Sequence, residues 1–409
     1  MFPAASLLTI IFLALSIAGS PVEIDNSPIT LPIARRLNVS NGPINLLQHD
    51  KARVTALKDN SFSTQGGHTG STPVTNTVAT YLIAVGIGSP ATTYNLIVDT
   101  GSSNTWVGAN TKYVKTQTSV DTGERVAVHY GSGSFSGTEY TDTITLGSGL
   151  TITAQSIGVA STSTGLTGTS IDGILGIGPV ALTEGSLTNK PTTTIPTVTD
   201  NLYSQGTISQ KVVGISFEPT ISKTVTNGEL TFGGTDATKY AGSIAYTPIT
   251  TTYPSSNYWG INQSISYGST TILSSTAGIV DTGTTYIYIA SDAYAKYKSA
   301  TGGTLDAATG LLLISSSQYK ALKNLNFHIG SETYALTPNA QLWPRSLNTY
   351  IGGSSNAMYL VVCDIGTPSG AGFDFVNGYT FLERFYSVFD TANSRVGFAE
   401  TSYTDAATN

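Results

Sequence analysis

The chain has 409 residues, a formal net charge of −6 and only 11% charged residues. It is too long for one ordinary hydrophobic core, and a nucleic-acid partner is disfavoured because there is no basic excess to neutralise phosphates. The single cysteine excludes an internal disulfide framework. The 43 glycines, together with abundant Val, Ile, Thr and Tyr, are typical of short strands joined by turns, so the composition predicts an all-β protein.

An apolar run over residues 7–17, followed by small residues, opens the chain. A run of this length is too short to cross a membrane stably and is typical of a secretory signal peptide. We therefore expect residues 1–18 to be a signal peptide. We expect the protein to be secreted and extracellular, with no membrane partner.

Residues 19–70 differ from the rest because basic residues slightly outnumber acidic ones, whereas the remainder of the chain is acidic. This asymmetry favours a removable prosegment held by charge, and the alternative is a disordered linker. The glycine-rich stretch 66–71 is the expected cleavage zone.

An Asp-Thr-Gly motif occurs twice, at 99–101 and at 281–283, each time directly after an apolar, β-branched run. Such a pattern predicts a buried strand that enters a tight loop and presents one carboxylate. The two copies predict an N-terminal lobe over 71–243 that carries Asp99, and a C-terminal lobe over 244–409 that carries Asp281.

Other elements are predicted in chain order. Strands are expected over 81–85 and 94–98, followed by a hairpin whose tip is 130–133, and a buried strand within 170–178. Helices are expected over 195–204, over 292–299 with Ser291 as its cap, and over 317–325. Residues 381–398 alternate like paired strands. Asn262 begins a glycosylation sequon, and Cys363 has the surroundings of a buried core residue.

Two carboxylates that face each other cannot both ionise cheaply, so they share one proton and titrate together in acid. The ionised partner then takes a proton from water while the protonated partner polarises a substrate carbonyl. Nearby hydroxyls are expected to hold the carboxylates by hydrogen bonds: Thr100, Ser102, Thr282 and Thr284. The pattern predicts hydrolysis of peptide bonds by direct attack of water.

Competing chemistries lack parts in this sequence. Neither a zinc-binding His-Glu-x-x-His nor a Gly-x-Ser-x-Gly elbow occurs, so no metal or cofactor is expected. Glycosidases also use paired carboxylates, but they do not need the same turn sequence twice.

The two motifs, Trp106, the tip at 130–133 and Asp172-Gly-Ile-Leu-Gly176 together resemble the pepsin-like aspartic proteases, and most closely the fungal polyporopepsin type. The resemblance implies two pseudo-symmetric β-barrel-like lobes, a few short helices and a central cleft. It implies that Asp99 and Asp281 are catalytic. It also implies a monomer that acts on proteins and peptides and is inhibited by pepstatin-type compounds. The alternative is a catalytically silent binding protein of the same fold, although both motifs are intact.

The resemblance also assigns binding residues. Tyr130 is the flap tyrosine, with its hydroxyl paired to the indole of Trp106, and Gly131, Ser132 and Gly133 complete the flap. Apolar subsite walls are implied at Ile97, Phe135, Ile171, Ile174 and Ile279, although Ile171 and Ile174 are equally well explained as core. Gly101 and Gly283 are expected to present backbone groups to the substrate.

Three features depart from the family pattern. Ser132 stands where many fungal relatives carry an Asp that accepts Lys at P1, which predicts a preference for large apolar P1 residues. Residues 376–379 read Val-Asn-Gly-Tyr, where the family usually has an apolar pair followed by Gly and Asp. The residues that form the prime-side wall of the cleft are therefore not assigned by the resemblance. The prosegment matches poorly, and Lys58 is our choice for the residue that covers the catalytic pair.

Overall fold

The computed structural model describes residues 27–37, 43, 45–59, 79–147 and 149–409. The expected signal peptide and the expected cleavage zone at 66–71 lie outside these residues. Within the described ranges the chain is mostly β, with a few short helices.

The strands of the first part of the chain are β1 (Ile29–Leu37), β2 (Ala79–Ile87), β3 (Thr92–Asp99), β4 (Trp106–Val107), β5 (Val120–His129), β6 (Ser134–Gly147), β7 (Leu150–Thr164), β8 (Gly173–Gly176), β9 (Val212–Ser216), β10 (Thr224–Phe232) and β11 (Ala241–Pro248). Those of the second part are β12 (Gly260–Tyr267), β13 (Thr270–Val280), β14 (Ile287–Ile289), β15 (Thr304–Leu305), β16 (Leu312–Ile314), β17 (Leu325–Ile329), β18 (Glu332–Leu336), β19 (Met358–Leu360), β20 (Val362–Asp364), β21 (Phe375–Asn377), β22 (Phe385–Asp390) and β23 (Arg395–Glu400).

The α-helices of the described residues are α1 (Leu46–Lys58), α2 (Val198–Ser204), α3 (Ser291–Thr301), α4 (Ser316–Ala321) and α5 (Tyr379–Leu382), with 3-10 turns at Val180–Thr183, Ser255–Asn257 and Arg345–Ile351. None of these helices is long and apolar enough to span a membrane.

The strands of the described residues form three sheets. The largest has the order β11-β23-β22-β9-β10-β1-β2-β3-β8-β4-β7-β6-β5, with an added β2–β6 pairing that closes it like a barrel. The second has the order β18-β17-β12-β13-β21-β14-β20, and a small third sheet contains β15, β16 and β19. One copy of the Asp-Thr-Gly motif follows a strand of the first sheet, and the other follows a strand of the second.

The two motif-bearing strands have matching surroundings. β3 pairs antiparallel with β2 and parallel with β8, and β13 pairs antiparallel with β12 and parallel with β21. The apolar residues before each motif are buried, as continuous apolar runs in central strands should be. The internal repeat found in the sequence is therefore a repeat of topology.

The expected prosegment contributes a central strand. β1 lies between β10 and β2 and pairs antiparallel with both. Its buried side chains alternate in the period of a strand, at Leu31, Ile33, Arg35 and Leu37. This pairing contradicts the alternative of a disordered linker for residues 29–37.

Most predicted elements are present, with shifted ends. α2 begins at Val198, later than expected, because Thr197 forms a capping box with Asp200. Ser291 is wrong as a cap, since it lies inside α3 and donates to Asp364 Oδ1 at 2.6 Å. α4 ends at Ala321, and Leu325 begins β17 instead of ending a helix.

Two further predictions concern the C-terminal region. Residues 379–382 form α5, so paired strands begin only at Phe385 and not at 381. Cys363 is buried in β20 with a free thiol, which confirms its assignment to the core.

Candidate active site

Asp99 ends β3 and Asp281 directly follows β13, and both side chains are fully buried. The loops that carry them are cross-linked by hydrogen bonds. Thr100 N donates to Thr282 Oγ1 at 2.9 Å, and Thr282 N donates to Thr100 Oγ1 at 3.0 Å. The two hydroxyls in turn donate to main-chain oxygens of the opposite strand, at 3.1 and 2.9 Å. This reciprocal set fixes the distance between the two lobes at the site.

Each carboxylate is held by the loop that follows it. Ser102 Oγ donates to Asp99 Oδ2 and Thr284 Oγ1 donates to Asp281 Oδ2, both at 2.5 Å. The main-chain N–H groups of Gly101 and Gly283 donate to the other oxygens, both at 2.9 Å. The four hydroxyl residues therefore divide into two pairs with different contacts. Ser102 and Thr284 bond the carboxylates as expected, whereas Thr100 and Thr282 bond each other's loops instead.

The guanidinium of Arg53, on α1, lies between the two carboxylates. Its Nη2 donates to Asp99 Oδ1 at 2.6 Å and to Asp281 Oδ1 at 3.0 Å, and its Nε donates to Asp281 Oδ2 at 2.9 Å. Lys58 was therefore the wrong choice for the residue that covers the pair. It lies at the half-buried C-terminal end of α1, whereas Arg53 lies on the inward face. A planar, forked guanidinium can bond two carboxylates at once, which a single ammonium does less well.

The two carboxyl groups are shifted in opposite directions. Burial raises the pKa of Asp99, as does the nearby Asp281 charge, and these effects exceed the lowering by Arg53. Burial also acts to raise the pKa of Asp281, but the Arg53 charge and hydrogen bonds from Arg53, Thr284 and Gly283 bring it below its usual value. With Arg53 in place, Asp99 is the carboxyl that protonates first on acidification.

The flap is the hairpin tip at 130–133 between β5 and β6. It closes on itself through Tyr130 N to Gly133 O at 2.7 Å and Ser132 N to Tyr130 O at 2.8 Å. Gly131 has a φ of +72°, and a Cβ there would collide with the carbonyl oxygen of Ala52, so glycine lets the flap touch α1. The helix α1, part of the expected prosegment, thus lies between the flap and the Asp99–Asp281 pair.

Aromatic rings support the flap. The rings of Trp106 and Tyr130 lie 6.4 Å apart and Trp106 stacks on Phe135 at 4.4 Å. Burial and the neighbouring Asp99 charge place the pKa of Tyr130 well above its usual value, so its hydroxyl keeps its proton. The pairing of that hydroxyl with the Trp106 indole stays a prediction.

A cavity beside Asp99 contains several expected binding residues. Its lining includes Ile97, Ile174, Ser132, Gly133 and Gly283, together with His49 and Arg53 from α1. Thr164, Gly165 and Leu166 also line it, and sequence reasoning missed them. The only signal was the run of small residues at 161–168, which reads as an ordinary loop.

Other expected binding residues do not line this cavity. Phe135 and Ile171 are buried core residues, and Ile279 is fully buried with its backbone paired to β21. Gly101 is also not among the lining residues, although a Cβ there would meet the Asp281 carboxylate and Arg53. Their roles in substrate binding stay predictions.

Two further contacts hold α1 in the cleft. Asp50 Oδ2 accepts from the main-chain N–H groups of Thr285 and Tyr286 at 2.8 and 3.0 Å, directly after the second motif. Tyr258 Oη donates to the carbonyl oxygen of Leu57 at 2.8 Å. Sequence reasoning missed both contacts, because a short helix with scattered charges does not show which face it buries.

The unusual Asn377 has a partner. Its side-chain amide and that of Gln263 bond each other reciprocally, at 3.1 and 2.8 Å, and both are buried. The main-chain oxygen of Asn377 accepts from Asp281 N at 3.1 Å. The departure from the family pattern therefore lies beneath the Asp281 loop.

Two other site expectations concern metal and sugar. Among the described residues no cluster of His, Cys, Asp and Glu is arranged to hold a metal ion. Asn262 lies on β12 with an exposed side chain whose amide oxygen accepts from Thr250 Oγ1 at 2.9 Å. Its glycosylation stays a prediction.

Comparison with known proteins gives a consistent result. A family model for eukaryotic aspartyl proteases matches residues 80–401. Polyporopepsin from Irpex lacteus is 64% identical over 341 residues, which cover 83% of this chain and 99% of that protein. Rhizopuspepsin-2 from Rhizopus niveus is 30% identical over 408 residues, which cover 94% of this chain and 95% of its own. The crystal structure of aspartic proteinase from Irpex lacteus matches with a TM-score of 0.81 and 56% identity, and covers 94% of this chain and 100% of that one. The structural match confirms the expected two-lobed, mostly β architecture.

Proposed function

This chain belongs to the eukaryotic aspartyl protease family and is a pepsin-like aspartic endopeptidase, and on that basis we propose that it is secreted as an inactive precursor that acid activates. The observation that carries the proposal is the position of Arg53, which bonds both catalytic carboxylates. A substrate carbonyl cannot reach the pair while a guanidinium lies between them.

In the proposed reaction, Asp99 and Asp281 activate a water held between them once Arg53 has left. One ionised carboxylate takes a proton from the water, and the protonated partner donates a hydrogen bond to the scissile carbonyl. Water then attacks the amide directly, without an acyl-enzyme. Ser102, Thr284 and the two motif glycines support this arrangement because their donors fix the carboxylates before substrate arrives.

Acid release follows from the sign of the pKa shifts. Because the pKa of Asp281 is lowered, its contact with Arg53 stabilises the precursor at pH values above the ordinary pKa of an aspartate. This stabilisation is lost as the pH falls through the lowered pKa. The raised pKa of Asp99 means that this carboxyl takes up its proton earlier on acidification, which weakens the 2.6 Å contact first. The inhibitory contact therefore weakens in two steps as the medium becomes acid.

Further parts of the proposal concern partners and specificity. Ser132 lies in the cavity beside Asp99 and offers no carboxylate to a basic side chain, which supports large apolar residues at P1. We propose protein and peptide substrates, inhibition by pepstatin-type compounds and a monomeric enzyme. The apolar run at 7–17 supports secretion.

The test is acid proteolysis of a denatured protein by the wild type, with and without pepstatin, and by Asp281→Asn. We expect activity in acid that is lost in the presence of pepstatin and in the variant. Mass spectrometry of the same samples should show loss of the residues before the 66–71 region in the wild type alone. Activity that survives pepstatin and Asp281→Asn would contradict the mechanism, and an acid-active chain that keeps its prosegment would contradict the precursor proposal.

A further inference from the structure

Arg35, on β1, is a buried cation far along the chain from the catalytic motifs. It is 3% exposed and its side chain occupies an inward position of the strand, between Ile33 and Leu37 in the alternation. A charged residue at such a position is costly unless every polar atom has a partner. The residues around Arg35 should therefore supply partners for each nitrogen of its guanidinium.

The Arg35 site consists of Glu383, Tyr379, Tyr81, Trp343 and the main-chain oxygen of Thr220. Arg35 Nε lies 3.1 Å from Glu383 Oε1, Nη1 donates to Thr220 O at 3.1 Å, and Nη2 donates to Tyr379 Oη at 3.4 Å. Each nitrogen of the guanidinium thus lies within 3.4 Å of its own oxygen, two of them as hydrogen-bond acceptors and one as an ion-pair partner. The rings of Tyr379 and Trp343 lie 5.2 and 5.9 Å from Cζ, within cation–π range.

The site is built by other parts of the chain. Tyr81 Oη donates to Glu383 Oε1 at 3.0 Å and also contacts Glu218 O at 3.1 Å, and its ring stacks on Phe217. Glu383 is 5% exposed, and Tyr81, Tyr379 and Trp343 are fully buried. All of these residues lie within the range matched by the protease family, whereas Arg35 lies before it.

Removal of the prosegment would leave this site without its guanidinium. Burial raises the pKa of Glu383, and the Arg35 charge acts in the opposite direction. Residues 71–78, which precede β2, contain neither Lys nor Arg. Arg384, which follows Glu383 in the chain, points its guanidinium elsewhere: it donates to the main-chain oxygens of Tyr403 and Ala406, at 3.2 and 2.5 Å. No side chain between the cleavage zone and β2 can replace the guanidinium.

We propose that the Arg35 site is a guanidinium-binding site, separate from the catalytic pair, that recognises an extended segment carrying an arginine. Its occupant is the chain's own segment Ile29–Leu37, which the strand pairing with β10 and β2 places so that Arg35 enters the site. Binding of that segment to the processed enzyme rests on the proposed function; recognition of the guanidinium does not.

The first experiment uses the full chain and does not depend on processing. Arg35→Ala removes the guanidinium, and Arg36→Ala is the matched control, because the half-buried Arg36 donates to Ser170 Oγ at 3.3 Å and forms no ion pair with the described residues. Thermal unfolding is followed at pH 6.5 with ethylguanidinium, with its neutral analogue ethylurea, or with sodium chloride at equal ionic strength.

We expect Arg35→Ala to lower the Tm by several degrees and ethylguanidinium alone to restore at least half of the loss, with saturation. Arg36→Ala should change the Tm by about one degree at most and gain nothing from the additive. Equal effects of ethylguanidinium and ethylurea, no restoration by either, or equal restoration of both variants would overturn the proposal. Arg35→Lys tests it if Arg35→Ala does not fold. The Tm of Arg35→Lys should fall, because one ammonium cannot reach all three oxygens that surround the guanidinium. A Tm equal to that of the wild type would overturn the proposal.

The second experiment uses acid-processed enzyme saturated with pepstatin, which blocks cleavage and fills the cleft. A fluorescent peptide of residues 28–38 is titrated at pH 6, beside peptides with citrulline at position 35 or at position 36. We expect citrulline at 35 to weaken binding at least tenfold and citrulline at 36 less than threefold. No binding, or equal losses for the two citrullines, would overturn the proposed occupant. A precursor that is not processed in acid would contradict the proposed function instead, and the experiment on the full chain would still decide whether the site binds a guanidinium.

Discussion

Glu139 is a buried carboxyl that should make the protein less stable at neutral pH. It lies on β6, 3% exposed, and accepts one hydrogen bond, from Ser156 Oγ to Oε1 at 2.6 Å. Its buried Oε2 has no hydrogen-bond partner among the described residues. Burial raises the pKa of Glu139 from 4.5 to about 7, and the Ser156 hydrogen bond only partly opposes this. The perturbation that removes the charge is Glu139→Gln.

The sign follows from the raised pKa. Below about pH 4.5 Glu139 is protonated in the folded and the unfolded state, so it does not change the free energy of unfolding. Above about pH 7 the folded state must bury a charge that the unfolded state exposes to water, which lowers the free energy of unfolding. Raising the pKa from 4.5 to about 7 corresponds to roughly 3 kcal/mol of unfolding free energy, of which about 2 kcal/mol is lost between pH 5.5 and 8. Glutamine keeps an acceptor for Ser156 and does not ionise.

The assay is urea unfolding of the full chain at pH 5.5 and at pH 8, followed by tryptophan fluorescence. With a slope of about 2–3 kcal/mol/M, the midpoint of Glu139→Gln relative to wild type should rise by roughly 0.7–1 M between the two pH values. Glu332→Gln is the control, because Glu332 is exposed at the start of β18 and should show no such change. An equal pH dependence for wild type and Glu139→Gln would refute the assignment.

The remaining predictions concern the site. Ser132→Asp should raise cleavage after Lys at P1 at least tenfold over wild type in a peptide-library assay, and no gain would remove the basis for the proposed apolar preference. Thr282→Val removes two hydrogen bonds between the motif loops and should lower the unfolding free energy by about 2–3 kcal/mol, and an unchanged urea midpoint would contradict the cross-linking role. Replacing both Gln263 and Asn377 by Leu should cost less stability than Asn377→Leu alone, because the single variant leaves a buried amide without its partner.

That Asp99 and Asp281 lie in equivalent loops could be predicted from the sequence, because a buried strand, a carboxylate and a tight turn are all encoded locally and occur twice. The roles of Thr100 and Thr282 were only half predicted, since hydroxyls beside a carboxylate indicate hydrogen bonding but not the partner. Whether a hydroxyl faces its own loop or the opposite one depends on how the lobes meet.

The residues of the expected prosegment also show that partners set by tertiary structure cannot be predicted locally. Its basic character indicated attraction to an acidic body, but Lys58, Arg53 and Arg35 are equivalent in composition. Arg53 and Arg35 point inward because α1 and β1 are fixed by tertiary pairing, with β1 inserted between strands that are distant in sequence. The start of α2 was predicted a few residues too early for a local reason. The capping box between Thr197 and Asp200 sets where the helix begins, and the apolar pattern does not show it.

The most direct test of the central claim compares Arg53→Gln with Lys58→Gln. Both variants remove one positive charge from α1, but of these two residues it is Arg53 that contacts Asp99 and Asp281. Each precursor is held at pH 5.5–6, and processing is followed by mass spectrometry together with hydrolysis of a denatured protein. We predict that Arg53→Gln is processed at least tenfold faster than wild type and that Lys58→Gln stays within twofold of it. Wild-type rates in Arg53→Gln, or equal acceleration in both variants, would contradict the claim that Arg53 keeps the catalytic pair inactive.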